Sequence, residues 1–150
     1  MKNYKLGFSL KGFTAFMLIM IPNVIWMIKP PVYNPIAGNS IPYPIFDLVA
    51  NVSQTIMIAL LIILIPKKTG KGKAIKINFS LASFCLVGYF IAWISYYNGI
   101  SFPWLYVSMA VLPSVFFISI DLWLNNYIAV VPSIVFGITH VAFTCHNFLG

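Results

Sequence analysis

Residues 47–65 read DLVANVSQTIMIALLIILI. The second part of this stretch, Ile56 to Ile65, carries no polar side chain and none of the apolar/polar alternation that a half-buried strand shows. Together with Ile45 and Phe46 it falls within the roughly 17 to 25 residues that an α-helix needs to cross a hydrocarbon core. A helix satisfies its own backbone groups where no water can, so the stretch is read as a transmembrane helix. Its opening third is unlike the rest, with one acid, two amides and two hydroxyls ahead of the apolar block.

The whole chain follows the same rule. Of its 150 residues 61% are hydrophobic and only 7% charged, where a soluble domain has roughly a quarter of its residues charged. The mean hydropathy is +0.94. Uncharged runs at about 12–28, 45–65, 77–97, 103–120 and 127–148 predict an all-α integral membrane bundle of five transmembrane helices in a single domain, residues 1–150. A closed outer-membrane barrel would require many short alternating segments instead. The basic start MKNYKLGFSLKGF resembles a secretory signal, but the apolar run behind it is long and ends in Ile-Lys-Pro-Pro without a small-x-small site, which predicts an uncleaved first span. No lipidation box is visible.

Lysine sets the expected orientation, because the chain has no arginine. Lys2, Lys5 and Lys11 precede the first span, and Lys67, Lys68, Lys71, Lys73 and Lys76 lie between spans two and three. Lys29 alone falls on the other side. This bias predicts a cytoplasmic N-terminus, an outside C-terminus and a multi-pass protein of the cell membrane. The net charge of +7 is thus a topology signal resting on anionic headgroups. No aromatic residues interleave with KKTGKGKAIK as base stacking requires, so nucleic acid is not an expected partner.

The two cysteines, Cys85 and Cys145, belong to opposite halves of the membrane and are expected to be free thiols. Between spans one and two, KPPVYNPIAGNSIPYP holds five of the ten prolines and predicts a semi-rigid strap that either caps the bundle or merely connects two spans. Pro22, Pro113 and Pro132 lie inside spans and are expected to bend them, leaving room between helices. Spans four and five share an echo, AVLPSVFF at 110–117 and AVVPSIVF at 129–136, which is not the inverted repeat of a transporter.

At 100° per residue Asp47, Asn51 and Gln54 fall within an arc of about 60°, with Thr55 at its margin and Ser53 elsewhere. Facing lipid, such groups would lack partners, so the stripe is expected to face the bundle interior. The helix rise places Asp47, Asn51, Asn23, Trp26 and His140 in the same outer half of the membrane. The inner half is expected to be apolar apart from hydroxyls, Cys85 and Asn78, with Asp121 a boundary charge at the end of span four. A conducting pore would need polar groups continued across the membrane. The ligand-binding candidates are therefore Asn23, Trp26, Asp47, Asn51, Gln54, Thr55 and His140.

Catalytic chemistry is poorly supplied. The chain has no glutamate and no acid beyond Asp47 and Asp121, and His140 and His146 point about 240° apart on an unbroken helix. No catalytic residue, metal ligand or cofactor is expected, and an enzyme is disfavoured.

The segments GFTAFMLIMIPNVIWMIKPP and PIFDLVANVSQTIMIALLIILI are similar to small, uncharacterised integral membrane proteins of low-GC Gram-positive bacteria. That resemblance implies a membrane location and carries no activity. Trp26-Met-Ile-Lys-Pro-Pro31 also resembles the first-loop pattern of the tryptophan-rich sensory, or translocator protein, family, which has five spans. DLVANVSQT replaces that family's aromatic and glycine signature on the second span, so porphyrin or sterol binding is implied only by analogy of architecture.

Two functions remain open at this point. One is an outward-facing polar and aromatic pocket that binds a small molecule or lipid, as a receptor-like or transport-accessory subunit. The other is a structural or immunity-type interaction protein, whose span-two stripe contacts a membrane partner protein or a second copy.

Overall fold

The computed structural model describes residues 3–38, 44–67 and 72–150. Five helices carry the chain: α1 Leu10–Ile28, α2 Pro44–Ile63, α3 Lys73–Tyr97, α4 Pro103–Trp123 and α5 Tyr127–Leu149. Each is long and apolar enough to cross a membrane, which makes this a multi-pass, all-α membrane bundle. Lys2, Lys68, Lys71 and residues 39–43 of the proline-rich loop lie outside the described residues.

Local chemistry explains the helix boundaries. Ser9 is extended (φ −89°, ψ 96°) and its hydroxyl accepts from the Gly12 N–H at 3.1 Å, capping the first turn of α1. Pro103 occupies the first turn of α4, where its missing N–H costs nothing. Between α4 and α5 the chain reverses through Asn125 at φ 60°, a left-handed position that asparagine tolerates.

The bundle is built around α4. Its neighbours are α3 and α5, α5 packs in turn on α2, and α1 crosses the remaining side. Of the apolar stretch of α4, 67% is buried, against 22% for α1 and 17% for α2, so the outer helices give most of their surface to lipid.

Lipid tails are as apolar as leucine, so helices in a membrane associate by close packing, which favours small residues at their contacts. The echo in spans four and five has this role. Ala110 and Ser114 of α4, and Ala129, Ser133 and Gly137 of α5, are all buried at helical spacing. A Cβ added at Gly137 would stand 3.1 Å from the Ser114 Cβ, which shows how near the two backbones come. The Ser114 hydroxyl donates back to the Ala110 carbonyl at 2.7 Å, and the Ser133 hydroxyl lies 2.9 Å from the Ala129 carbonyl and nearer still to the Asp121 carboxyl, so neither is left unpaired in the seam.

One end of the bundle is closed by an element the sequence does not announce. Strand β1, Tyr4–Leu6, pairs antiparallel with β2, Leu64–Pro66, in the register Tyr4↔Pro66, Lys5↔Ile65 and Leu6↔Leu64. The cause lies at the end of α2, whose last carbonyls lack intrahelical donors. The N–H groups of Gly7 and Ser9 donate to the Ile63 and Ile62 carbonyls at 2.9 and 2.7 Å. The Asn126 side-chain amide donates to the Leu60 and Leu64 carbonyls at 2.9 and 3.3 Å. Gly12 packs on the Leu61 carbonyl so closely that an added Cβ would stand 2.2 Å from its oxygen. The described lysines Lys5, Lys11, Lys67, Lys73 and Lys76 cluster at this end, where the Lys11 ammonium lies 5.3 Å from the centre of a Trp123 ring.

The expectation for Asp121 needs correction. It is 0% exposed, and the Ser133 hydroxyl donates to its Oδ2 at 2.5 Å. Ending span four at residue 120 placed Asp121 at the membrane boundary, but α4 continues to Trp123 and draws the carboxyl inside. Asn126 beside it is also 0% exposed, so this half of the bundle is not purely apolar. Neither Asp121 Oδ1 nor Asn126 Oδ1 has a hydrogen-bond partner among the described residues.

Two stability outcomes follow from these contacts. Gly12→Ala should destabilise the fold by about 1 to 3 kcal/mol, the usual range for overpacking, seen as a lower unfolding midpoint in detergent. Asp121→Asn should leave stability equal or higher, because the isosteric amide oxygen still accepts from Ser133, whereas Asp121→Ala should lose about 1 to 3 kcal/mol. Equal damage from both Asp121 variants in thermal denaturation would show that the carboxylate itself is required.

Candidate functional site

Gly12 draws α1 onto α2 at the lysine-rich end; toward the other end the space beside them is a cavity of about 390 Å³. Six of the seven candidate residues line it: Asn23, Trp26, Asp47, Asn51, Gln54 and His140. They arrive from α1, α2 and α5, so the helical period of DLVANVSQT and the depth matching of Asn23 and His140 converge on one space. Thr55 is not part of the lining. It is exposed, and its hydroxyl turns back to the Asn51 carbonyl at 2.8 Å.

Asp47 and Asn51, one turn apart, are joined by an Asn51 Nδ2 bond to Asp47 Oδ1 of 2.9 Å. This leaves the second carboxylate oxygen without a hydrogen bond among the described residues. The Asn23 amide donates to the Tyr89 hydroxyl at 2.8 Å and, at a longer 3.4 Å, to the Ile19 carbonyl. His140 stacks on Phe136, with ring centres 5.1 Å apart and planes 13° from parallel. Neither its ring nitrogens nor the half-buried Gln54 amide has a hydrogen-bond partner among the described residues.

Aromatic and apolar side chains complete the walls. Phe46, Tyr89, Phe117, Phe136 and Phe143 all face the cavity, as does the intrahelical Pro113. A second cavity of about 330 Å³ shares Asn23, Tyr89, His140 and Phe143 with the first and is bounded on another side by Ile36 of the loop. Tyr89 was not among the sequence candidates. Its signal was present, since Tyr89, Trp93 and Tyr96 recur at i, i+4 and i+7 and all three are buried.

Trp26 has a task beyond lining. Its indole N–H donates to Asn34 Oδ1 at 3.1 Å, and the Tyr96 hydroxyl donates to the same oxygen at 2.7 Å. The Tyr97 hydroxyl holds the Lys29 carbonyl at 3.0 Å. The described part of the proline-rich loop is therefore bolted to α1 and α3, and it contains a short 3₁₀ turn, Pro35–Gly38, where only an extended strap was expected. Behind it Tyr96 meets Tyr106 edge to face at 5.9 Å, and Tyr106 stacks on Phe148 at 4.2 Å. Trp104, by contrast, is 66% exposed, as a tryptophan of an interfacial aromatic belt would be.

The cavity offers acceptors, one carboxylate and π faces. No group of three histidine, cysteine or acidic side chains able to hold a metal occurs among the described residues. Compared with protein-family models, characterised proteins and solved structures, the chain matches none.

Asn34→Ala should free the loop, because one substitution removes the acceptor for two donors, one of them on the 1%-exposed Tyr96. The expected cost is about 1 to 3 kcal/mol, with faster amide exchange across residues 30–38 in mass-spectrometric hydrogen exchange. Unchanged exchange there would mean that other contacts hold the loop.

Proposed function

We propose that this protein binds a small molecule or lipid in the cavity between α1, α2 and α5, acting in the cell membrane as a receptor-like or transport-accessory subunit. One observation carries the reading. Gln54 and His140 line a cavity inside a membrane bundle with side-chain polar atoms that no described protein group satisfies. Both side chains are half-buried, and polar side chains at membrane depth are costly, so an occupant that hydrogen-bonds to them accounts for their presence. The cavity faces outward if the lysine-rich end is cytoplasmic, as the grouping of Lys5, Lys11, Lys67, Lys73 and Lys76 supports.

A second reading draws on different residues. Asn51 and Thr55 are exposed on α2, so the edge of the polar stripe is available to a partner helix or a second copy of this chain. Native mass spectrometry of the gently extracted protein separates the two. A small molecule that accompanies the wild type, and is lost from Asp47→Asn and His140→Ala, is the outcome expected for binding. Ligand-free protein that loses a partner chain in the Asn51→Leu/Gln54→Leu variant would replace the binding reading with the interaction reading.

A further inference from the structure

We infer that the cavity takes an organic cation, an amine or quaternary ammonium group carried on a small apolar body. This inference rests on the ligand-binding reading above and specifies the ligand's charge and shape. The chain has two acids, and they are treated in opposite ways. Asp121 is sealed within the lysine-rich end, while Asp47 stands in the cavity wall, half-exposed, with only one carboxylate oxygen engaged.

No permanently cationic side chain belongs to that wall, whose only other titratable group besides Asp47 and Tyr89 is His140. No lysine is among the lining residues, and Lys29, the one described lysine at this end, is exposed at the C-terminus of α1. An anion entering the cavity would meet a carboxylate and no counter-charge. A cation meets the carboxylate, and a protonated amine also finds an acceptor in the Gln54 carbonyl.

The walls point the same way. Trp26, Phe46, Tyr89, Phe117, Phe136 and Phe143 line the same cavity as the polar groups, and the faces of aromatic rings carry negative potential that attracts cations. Aliphatic walls would serve a neutral apolar ligand equally well, whereas a carboxylate and several aromatic side chains lining one cavity are the groups that recognise ammonium. At about 390 Å³ the cavity lies in the lower part of the range for small-molecule pockets, roughly 300 to 1,000 Å³, so the body attached to the charge is compact.

Three probes of one shape and different charge test this on the full chain in lipid nanodiscs, by equilibrium dialysis with empty nanodiscs subtracted. They are benzyltrimethylammonium, its uncharged carbon isostere neopentylbenzene, and the anion phenylmethanesulfonate. The expected result is saturable binding of the cation, at least about tenfold weaker binding of the neutral isostere and none of the anion. Asp47→Asn should weaken the cation about tenfold and leave the neutral probe unchanged, and Asp47→Glu should recover part of the loss. Phe143→Leu, which keeps the charge, should also weaken the cation more than the isostere. Equal binding of cation and isostere, unaffected by Asp47→Asn, would overturn the cation inference while the binding reading stands. Binding of none of the three overturns it as well, and the binding reading then stands or falls on the co-purifying molecule.

Discussion

A helix that ends in a membrane leaves its last carbonyls where little water can reach them, and the end of α2 shows how this chain meets that constraint. The carbonyls of Leu60, Ile62, Ile63 and Leu64 accept hydrogen bonds from Asn126, Ser9 and Gly7, groups that come from both ends of the sequence. Satisfying them folds the N-terminal segment against the end of α2 and sets the start of α5 beside it. Gly12 then lies on the Leu61 carbonyl, which brings α1 into backbone contact with α2.

A pocket of about 380 Å³ at the lysine-rich end, between α1, α3 and α4, is lined mainly by apolar side chains, and the cavity with the polar lining lies toward the other end. There the proline-containing helices α1 and α4 and the aromatic side chains of five helices enclose space instead of filling it. The polar groups divide accordingly. At the closed end Asp121, Ser133 and Asn126 are sealed among the helices and serve one another or the backbone. At the open end Asp47, Gln54 and His140 keep polar atoms directed at the cavity. Two aspartates of one chain thus have different roles because one is enclosed by protein and the other borders a space.

The loop after α1 ties these features together. Asn34 takes a hydrogen bond from Trp26 on α1 and another from Tyr96 on α3, so the loop spans two helices that otherwise touch little. Ile36, two residues on, covers the second cavity, which shares Asn23, Tyr89, His140 and Phe143 with the first. The aromatic residues at this end differ in placement: Trp26 and Tyr96 anchor the loop, Tyr89 and Phe143 line both cavities, and Trp104 is exposed.

The five spans were legible in the sequence because hydropathy and helix length are local quantities, and α1 to α5 begin and end within a few residues of the apolar runs. The polar face of α2 was legible for the same reason: a period of 3.6 residues placed Asp47, Asn51 and Gln54 together and left Thr55 at the edge, outside the lining. Matching depths added Asn23 and His140. Three further features belonged to the tertiary structure alone. The β1 and β2 pairing joins residues some 60 positions apart, and no local pattern encodes it. Asp121 changed from boundary charge to buried group through three extra residues of α4, a shift that hydropathy does not resolve. Trp26 became a loop anchor because Asn34 Oδ1 accepts from it as well as from Tyr96. Sequence periodicity determined which side chains share a face; only the packing of one helix on another decided which of them found a partner and which were left facing a cavity, because hydrogen-bond satisfaction depends on neighbours distant in the chain.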